Sequence, residues 1–209
     1  ANPDHQTTAE KEGSAYAWDG KEWKETKGAD WQHPNGPKSN VKGKDDHPVV
    51  CISWLDAREY CRWLNEAHGQ ELPKGWQFRL PSEAEWEKAS RDPRGSREWP
   101  WGNEEPDRQR CNFNMNLGDT TPVGKYSPQG DSPYGCADMV GNVWEWTLSL
   151  EKPYPYKKDD GREKPRGSSS RVLRGGSFGS IRMLARCACR LGDLPDVWDE
   201  DLGFRVGVV

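Results

Sequence analysis

Twelve of the 209 residues are tryptophan and 22 are glycine, in a leucine-poor chain of which only 33% is hydrophobic. Such a chain has to build its core from a few large rings, each burying a large area, on irregular backbone that glycine lets turn left-handed. The same rings exclude a disordered chain, which lacks aromatics. Much loop and little regular structure are expected, and the length favours one domain.

Charge narrows the partners. The net charge is -4, and lysine and arginine are scattered rather than gathered into a stripe, so neither nucleic acid nor an anionic membrane is implied. No apolar run approaches the ~20 residues that span a bilayer. The six cysteines (Cys51, Cys61, Cys111, Cys136, Cys187 and Cys189) contain no CxxC pair and no zinc spacing. On a strand, Cys187 and Cys189 would point to opposite faces and could not pair without strain. Packed free thiols are the simpler reading, and the redox compartment stays open.

The N-terminal stretch, residues 1–44, is polar and punctuated by Gly and Pro, which reads as extended segments and loops covering a core formed later. Ser53 followed by Asp56 predicts a capped helix running to about Ala67, with Trp54, Ala57, Cys61 and Leu64 on its core face. Ser82 and Glu85 open a second helix that carries Ala84, Trp86 and Ala89 and stops at Asp92-Pro93. Residues 94–123 read as loop. Short β-favouring pieces at 121–126, 140–147, 172–177 and 204–209 supply a small mixed or antiparallel sheet. Residues 151–170 lack a large aliphatic side chain and read as a mobile surface loop.

Six phrases stand in a fixed order: His47-Pro-Val-Val-Cys-Ile-Ser-Trp-Leu-Asp-Ala57, Arg79-Leu-Pro-Ser-Glu-Ala-Glu-Trp86, Trp99-Pro-Trp-Gly102, Gly141-Asn-Val-Trp-Glu-Trp-Thr147, Arg171-Val-Leu-Arg-Gly-Gly-Ser177 and Leu202-Gly-Phe-Arg-Val206. Together they resemble the sulfatase-modifying factor, or formylglycine-generating enzyme, family, from about Thr7 onward. The resemblance implies an α+β, loop-rich C-type lectin-like fold with two main helices and small antiparallel sheets, forming one domain over residues 1–209.

Two departures from the family pattern bear on function. In the family's oxidases a copper-binding cysteine pair lies between the Gly-Gly-Ser phrase and the next Arg-Cys. Here that interval reads Phe178-Gly-Ser-Ile-Arg-Met-Leu184, shorter and without cysteine, so no copper is expected and no catalytic residue is assigned. The iron-dependent relatives need a histidine cluster that His5, His33, His47 and His68 do not form. The family's opening strand pair is also missing before Thr8-Ala-Glu10, which leads us to expect a segment supplied by a longer precursor or a separate chain.

The C-terminal frame, residues 171–206, resembles the variable proteins of diversity-generating retroelements, whose template positions are randomised at adenines. That resemblance implies a non-enzymatic protein displaying a variable surface to a protein or other macromolecular ligand. Leu191, Asp193, Leu194, Val197, Trp198, Asp199 and Asp201 sit at such positions. The expected contact set adds Phe178, Gly179, Ser180, Ile181, Met183, Leu184 and Glu200, giving apolar anchors within a polar rim. The alternatives are that several of these residues are core, and that the chain is an oxidoreductase paralogue with an altered site. The resemblance also implies a structural Ca²⁺ held by Asp138 and Glu145 and the carbonyls of Gly141 and Val143. A second would be held by Asn112, the Phe113 carbonyl and Asp119. The other reading is a carboxylate accepting backbone N–H groups in a tight turn. No calcium-dependent sugar motif is present, so carbohydrate binding does not follow from the fold.

Overall fold

The computed structural model describes residues 5–92, 94–157, 159–164 and 166–209. Pro93, expected to stop the second helix, lies outside them, as do residues 1–4, Lys158 and Pro165 of the two expected loops.

Each helix starts where a hydroxyl and a carboxylate three residues on can satisfy each other's backbone amides. Ser53 and Asp56 close such a box on α2 (Trp54–His68), and Ser82 and Glu85 on α3 (Glu83–Ser90). The same device at Thr7 and Glu10 opens a five-residue helix, α1 (Thr8–Glu12), in the stretch expected to hold only extended segments and loops. That stretch also holds an antiparallel hairpin of β1 (Ser14–Trp18) and β2 (Trp23–Lys27).

The central sheet has four strands: β4 (Trp144–Leu150), β5 (Arg171–Arg174), β6 (Arg190–Asp193) and β7 (Leu202–Phe204), in the order β6-β5-β4-β7. It is mixed rather than antiparallel throughout, because β7 returns parallel to β4 while β5 and β6 pair antiparallel. A further two-residue pairing joins β3 (Phe78–Arg79) to β8 (Gly207–Val208). The 121–126 piece forms turns instead of a strand.

Rings make the core, as the composition requires. Trp54, Ala57 and Cys61 of α2 meet Leu80, Trp144, Trp146, Leu173 and Leu202. The indole N–H of Trp146 donates to the Ile52 carbonyl at 2.9 Å and that of Trp54 to Thr147 at 2.8 Å, so neither ring buries an unpaired donor. A second cluster joins α1 and β1 to Val50, Cys51 and Val143, and a third joins Trp99, Cys111, Val140, Ala185 and Cys187.

The segment expected to be a mobile loop is anchored from within. Arg162 is fully buried, bonds Asp160 and the Pro153 carbonyl, and stacks on Tyr156. Arg171 donates to the carbonyls of Leu148, Lys164 and Arg166 and lies 3.9 Å over the Trp54 ring. Its burial pulls the guanidinium pKa down to about 10.

Candidate binding surface

The turn at the family's copper position is built by two glycines and two serines. Gly175 and Gly176 have positive φ, and a Cβ on Gly176 would press on Ala185 and the Leu184 carbonyl at 3.2 Å, so only glycine fits. The buried Ser177 and Ser180 hydroxyls lie 3.2 Å apart, and the Ser177 amide donates to the Ser180 hydroxyl at 2.9 Å. The amides of Asn114 and Met115 bond the carbonyls of Ser180 and Phe178, and the Phe178 amide donates to Asn142. The turn is therefore a structural element without a thiol, its polar groups bonded within it and to residues 114, 115 and 142.

All six cysteines are free. Burial pushes the Cys61 and Cys187 thiols up to about 11 and Cys111 up to about 12, and raises Cys51 and Cys189 as well. In the metal-free fold burial disfavours the thiolate at these five positions, so none is poised as a nucleophile. Cys187 and Cys189 precede β6 and pack into different clusters.

The expected contact residues divide. Ile181, Met183, Leu184, Leu191 and Leu194 are 42–63% exposed. The first three lie on a turn closed by Ile181 O accepting from Leu184 and Ala185 amides, with Arg182 5.5 Å over Trp99 and paired to Glu105. Leu191 is on β6, and Leu194 begins the turn that leads from it. Gly179 and Asp193 are half-buried beside them.

Five of the expected contact residues face inward instead. Phe178 is buried, 6.2 Å from Trp23, and Ser180 and Glu200 are buried too. Val197 packs on the main core, while Trp198 packs on the second cluster and donates its indole N–H to the Ser14 carbonyl at 2.6 Å. The N-terminal segment decides the positions of Phe178, Trp198 and Glu200, through Trp23, Ser14 and Trp18, and the C-terminal pattern holds no sign of it.

Asp199, Glu200 and Asp201 are consecutive acids, of which Asp199 and Glu200 were expected in a polar rim, yet Glu200 is buried. Glu200 accepts from the Trp18 amide at 2.7 Å and from the Asn35 side chain, and its own amide donates to Tyr16. It borders a cavity of about 200 Å³ together with Trp31, Asn35, Lys44, His47 and Asp119. Burial raises the three carboxyl pKa values to about 7, 8 and 6 in chain order, reinforced for Asp199 by Asp201 and Asp193.

The side chains at the first expected calcium site are hydrogen-bonded within the protein. Both Glu145 oxygens face the Arg205 guanidinium at 2.5 Å, and one also accepts the Trp86 indole N–H at 2.6 Å. Asp138 accepts the Gly124 amide at 2.7 Å, and Gly141 and Val143 supply only backbone. Asp138 thus caps a turn and Glu145 pairs with a guanidinium. At the second site Asp119 is committed to Lys44 and the Thr120 amide, but Asn112 Oδ1 is buried without a partner. Among the described residues no group of three or more His, Cys, Asp or Glu is placed to hold a metal.

The sulfatase-modifying factor enzyme 1-like domain matches residues 2–208. The chain belongs to this family. Within the sulfatase-modifying factor family it is 34% identical over 200 residues to the formylglycine-generating enzyme of Mus musculus, covering 88% of this chain and 50% of that protein. It is 37% identical to the inactive Cα-formylglycine-generating enzyme 2 of Bos taurus, covering 88% and 57%. The chain thus spans about half the length of the curated relatives it matches. Among solved structures, Treponema denticola variable protein 1 superposes with a TM-score of 0.68 at 25% identity, covering 87% of this chain and 77% of that one. PvdO from Pseudomonas aeruginosa gives 0.60 at 25%, covering 78% and 62%. The family and these neighbours carry the C-type lectin-like fold expected from the six phrases.

Proposed function

We propose that this chain is a non-enzymatic binding domain that presents a diversified C-terminal surface to a protein ligand. The observation that carries the reading is the 178–184 interval: the serine pair closes on itself, and the apolar side chains that follow point to solvent. Ile181, Met183, Leu184, Leu191 and Leu194 supply exchangeable contacts, while the inward Phe178, Val197 and Trp198 hold the backbone that presents them. Side chains on such turns can change without refolding the scaffold. Likeness to a protein named for its variability supports this, as does a relative named inactive that keeps the family sequence. An oxidase would need a thiol pair at 178–184, which this sequence lacks.

The test is genomic. A near-copy of the codons for residues 171–206 differing at adenines, next to a reverse transcriptase gene, is the expected result. Absence of both, together with copper(I) binding by the purified chain, would overturn the reading. Calcium, if held, belongs at the Asn112–Phe113 turn, where the unpartnered Asn112 oxygen supports it.

A further inference from the structure

Helix α2 has a second stripe that the core does not use. Trp54, Ala57 and Cys61 face the sheet, whereas residues 56, 59, 60 and 63 fall at i, i+3, i+4 and i+7 and share another face. That stripe reads Asp, Glu, Tyr, Trp. Together with Trp31 and Phe204 these four side chains line a cavity of about 460 Å³, a volume suited to a small ligand. The Tyr60 ring lies 5.6 Å from Trp63 and 5.5 Å edge-on from Phe204, so three rings make one continuous wall.

The fixed charges in that wall are acidic, and His5, which also lines it, is bonded to Asp56. Asp56 is buried and accepts from Ser53, from the Thr8 amide and from His5 at 3.0 Å. Glu59 is paired with Arg62 at 2.8 Å, but both ends are solvent-exposed, so the pair is weak and readily exchanged. Among the described residues no lysine or arginine lines the cavity. An anion meets two carboxylates here, and a bare metal ion gains nothing from rings because it needs a shell of oxygens. A cation whose charge is spread over alkyl groups gains from both, through the ring faces and the acids.

We propose that this cavity binds an alkylated ammonium ion, the trimethylammonium group of a small molecule. Of the lining residues only Phe204 and Val206 fall within 171–206, both in the fixed Leu202-Gly-Phe-Arg-Val206 phrase and neither among the expected contact residues, so the site does not depend on the display reading.

Calorimetric titration of the full chain with choline and with 3,3-dimethylbutanol, its neutral carbon isostere, tests this. Choline is expected to saturate one site about tenfold more tightly than the isostere. Glu59→Gln should weaken choline several-fold and leave the isostere unchanged, and since Glu59 is exposed this variant keeps the fold. Trp63→Leu should weaken choline further. Equal binding of the two compounds would overturn the proposal, as would no choline heat up to about 10 mM, or an effect of Glu59→Gln on both ligands alike.

Discussion

Replacing Glu200 by glutamine keeps the shape of a buried side chain and removes its charge. Glu200 receives a backbone amide on one oxygen and the Asn35 amide on the other. Glutamine can keep both bonds if Asn35 turns its amide over and presents Oδ1. What changes is titration. The carboxyl rises from its usual 4.5 to about 8 on folding, chiefly because burial disfavours the charged form. A group raised in this way gives its full stability below pH 4.5 and loses it as pH climbs through 8. Undiluted, the loss runs at about 1.4 kcal/mol per pH unit. Solvent at the mouth of the adjoining cavity screens part of it, leaving about 2 kcal/mol between pH 5 and 8.5. Urea unfolding followed by tryptophan fluorescence should give matching midpoints for wild type and Glu200→Gln at pH 5. At pH 8.5 the variant should be the more stable, by about 1 M urea. Asp199 and Asp201 keep some slope in both proteins. Parallel pH profiles for the two would refute the assignment of a strained charge to Glu200.

Three further outcomes are expected. Trp146→Ala empties a fully buried ring site and orphans the Ile52 carbonyl, costing about 3–5 kcal/mol in denaturant unfolding. Leu194→Ala should stay within about 0.5 kcal/mol of wild type, whereas Trp198→Ala should cost about 2–4 kcal/mol, because only the second side chain is packed and hydrogen-bonded. Arg205→Leu leaves Glu145 buried without its cation and should destabilise by about 3–5 kcal/mol, with calcium failing to restore the melting temperature.

What the sequence revealed depended on how local the cause was. Ser53 and Ser82 announce α2 and α3 because the answering acid is three residues away and an apolar face follows. Thr7 and Glu10 carry the same signal, yet a five-residue helix shows no periodicity to support it. Strands β3 and β8 are two residues each and exist only because positions nearly 130 apart meet at Phe78 and Val208. The same non-locality hid the inward faces of Phe178 and Trp198, whose partners Trp23 and Ser14 lie far upstream. Exposed side chains such as Met183 and Leu191 were legible as candidate contacts, because the missing thiols and the unpatterned block around them need no distant partner to be seen. Arg162 and Arg171 misled in the opposite direction: polar composition suggests a free loop, but each guanidinium finds backbone carbonyls within it or beside it.

The parallel return of β7 onto β4 has a consequence for biosynthesis. Trp144 and Trp146 emerge from the ribosome well before Leu202, Gly203 and Phe204, which complete their sheet, and before Val208, which closes on Phe78. At ~5–20 residues per second the intervening stretch takes several seconds to translate. Through that interval β4 has β5 on one side but its other edge is unpaired, so the sheet carrying the largest rings of the core stays open on that side. Destabilising changes in residues 202–208 should therefore lower yield in cells more than their effect on the purified protein suggests.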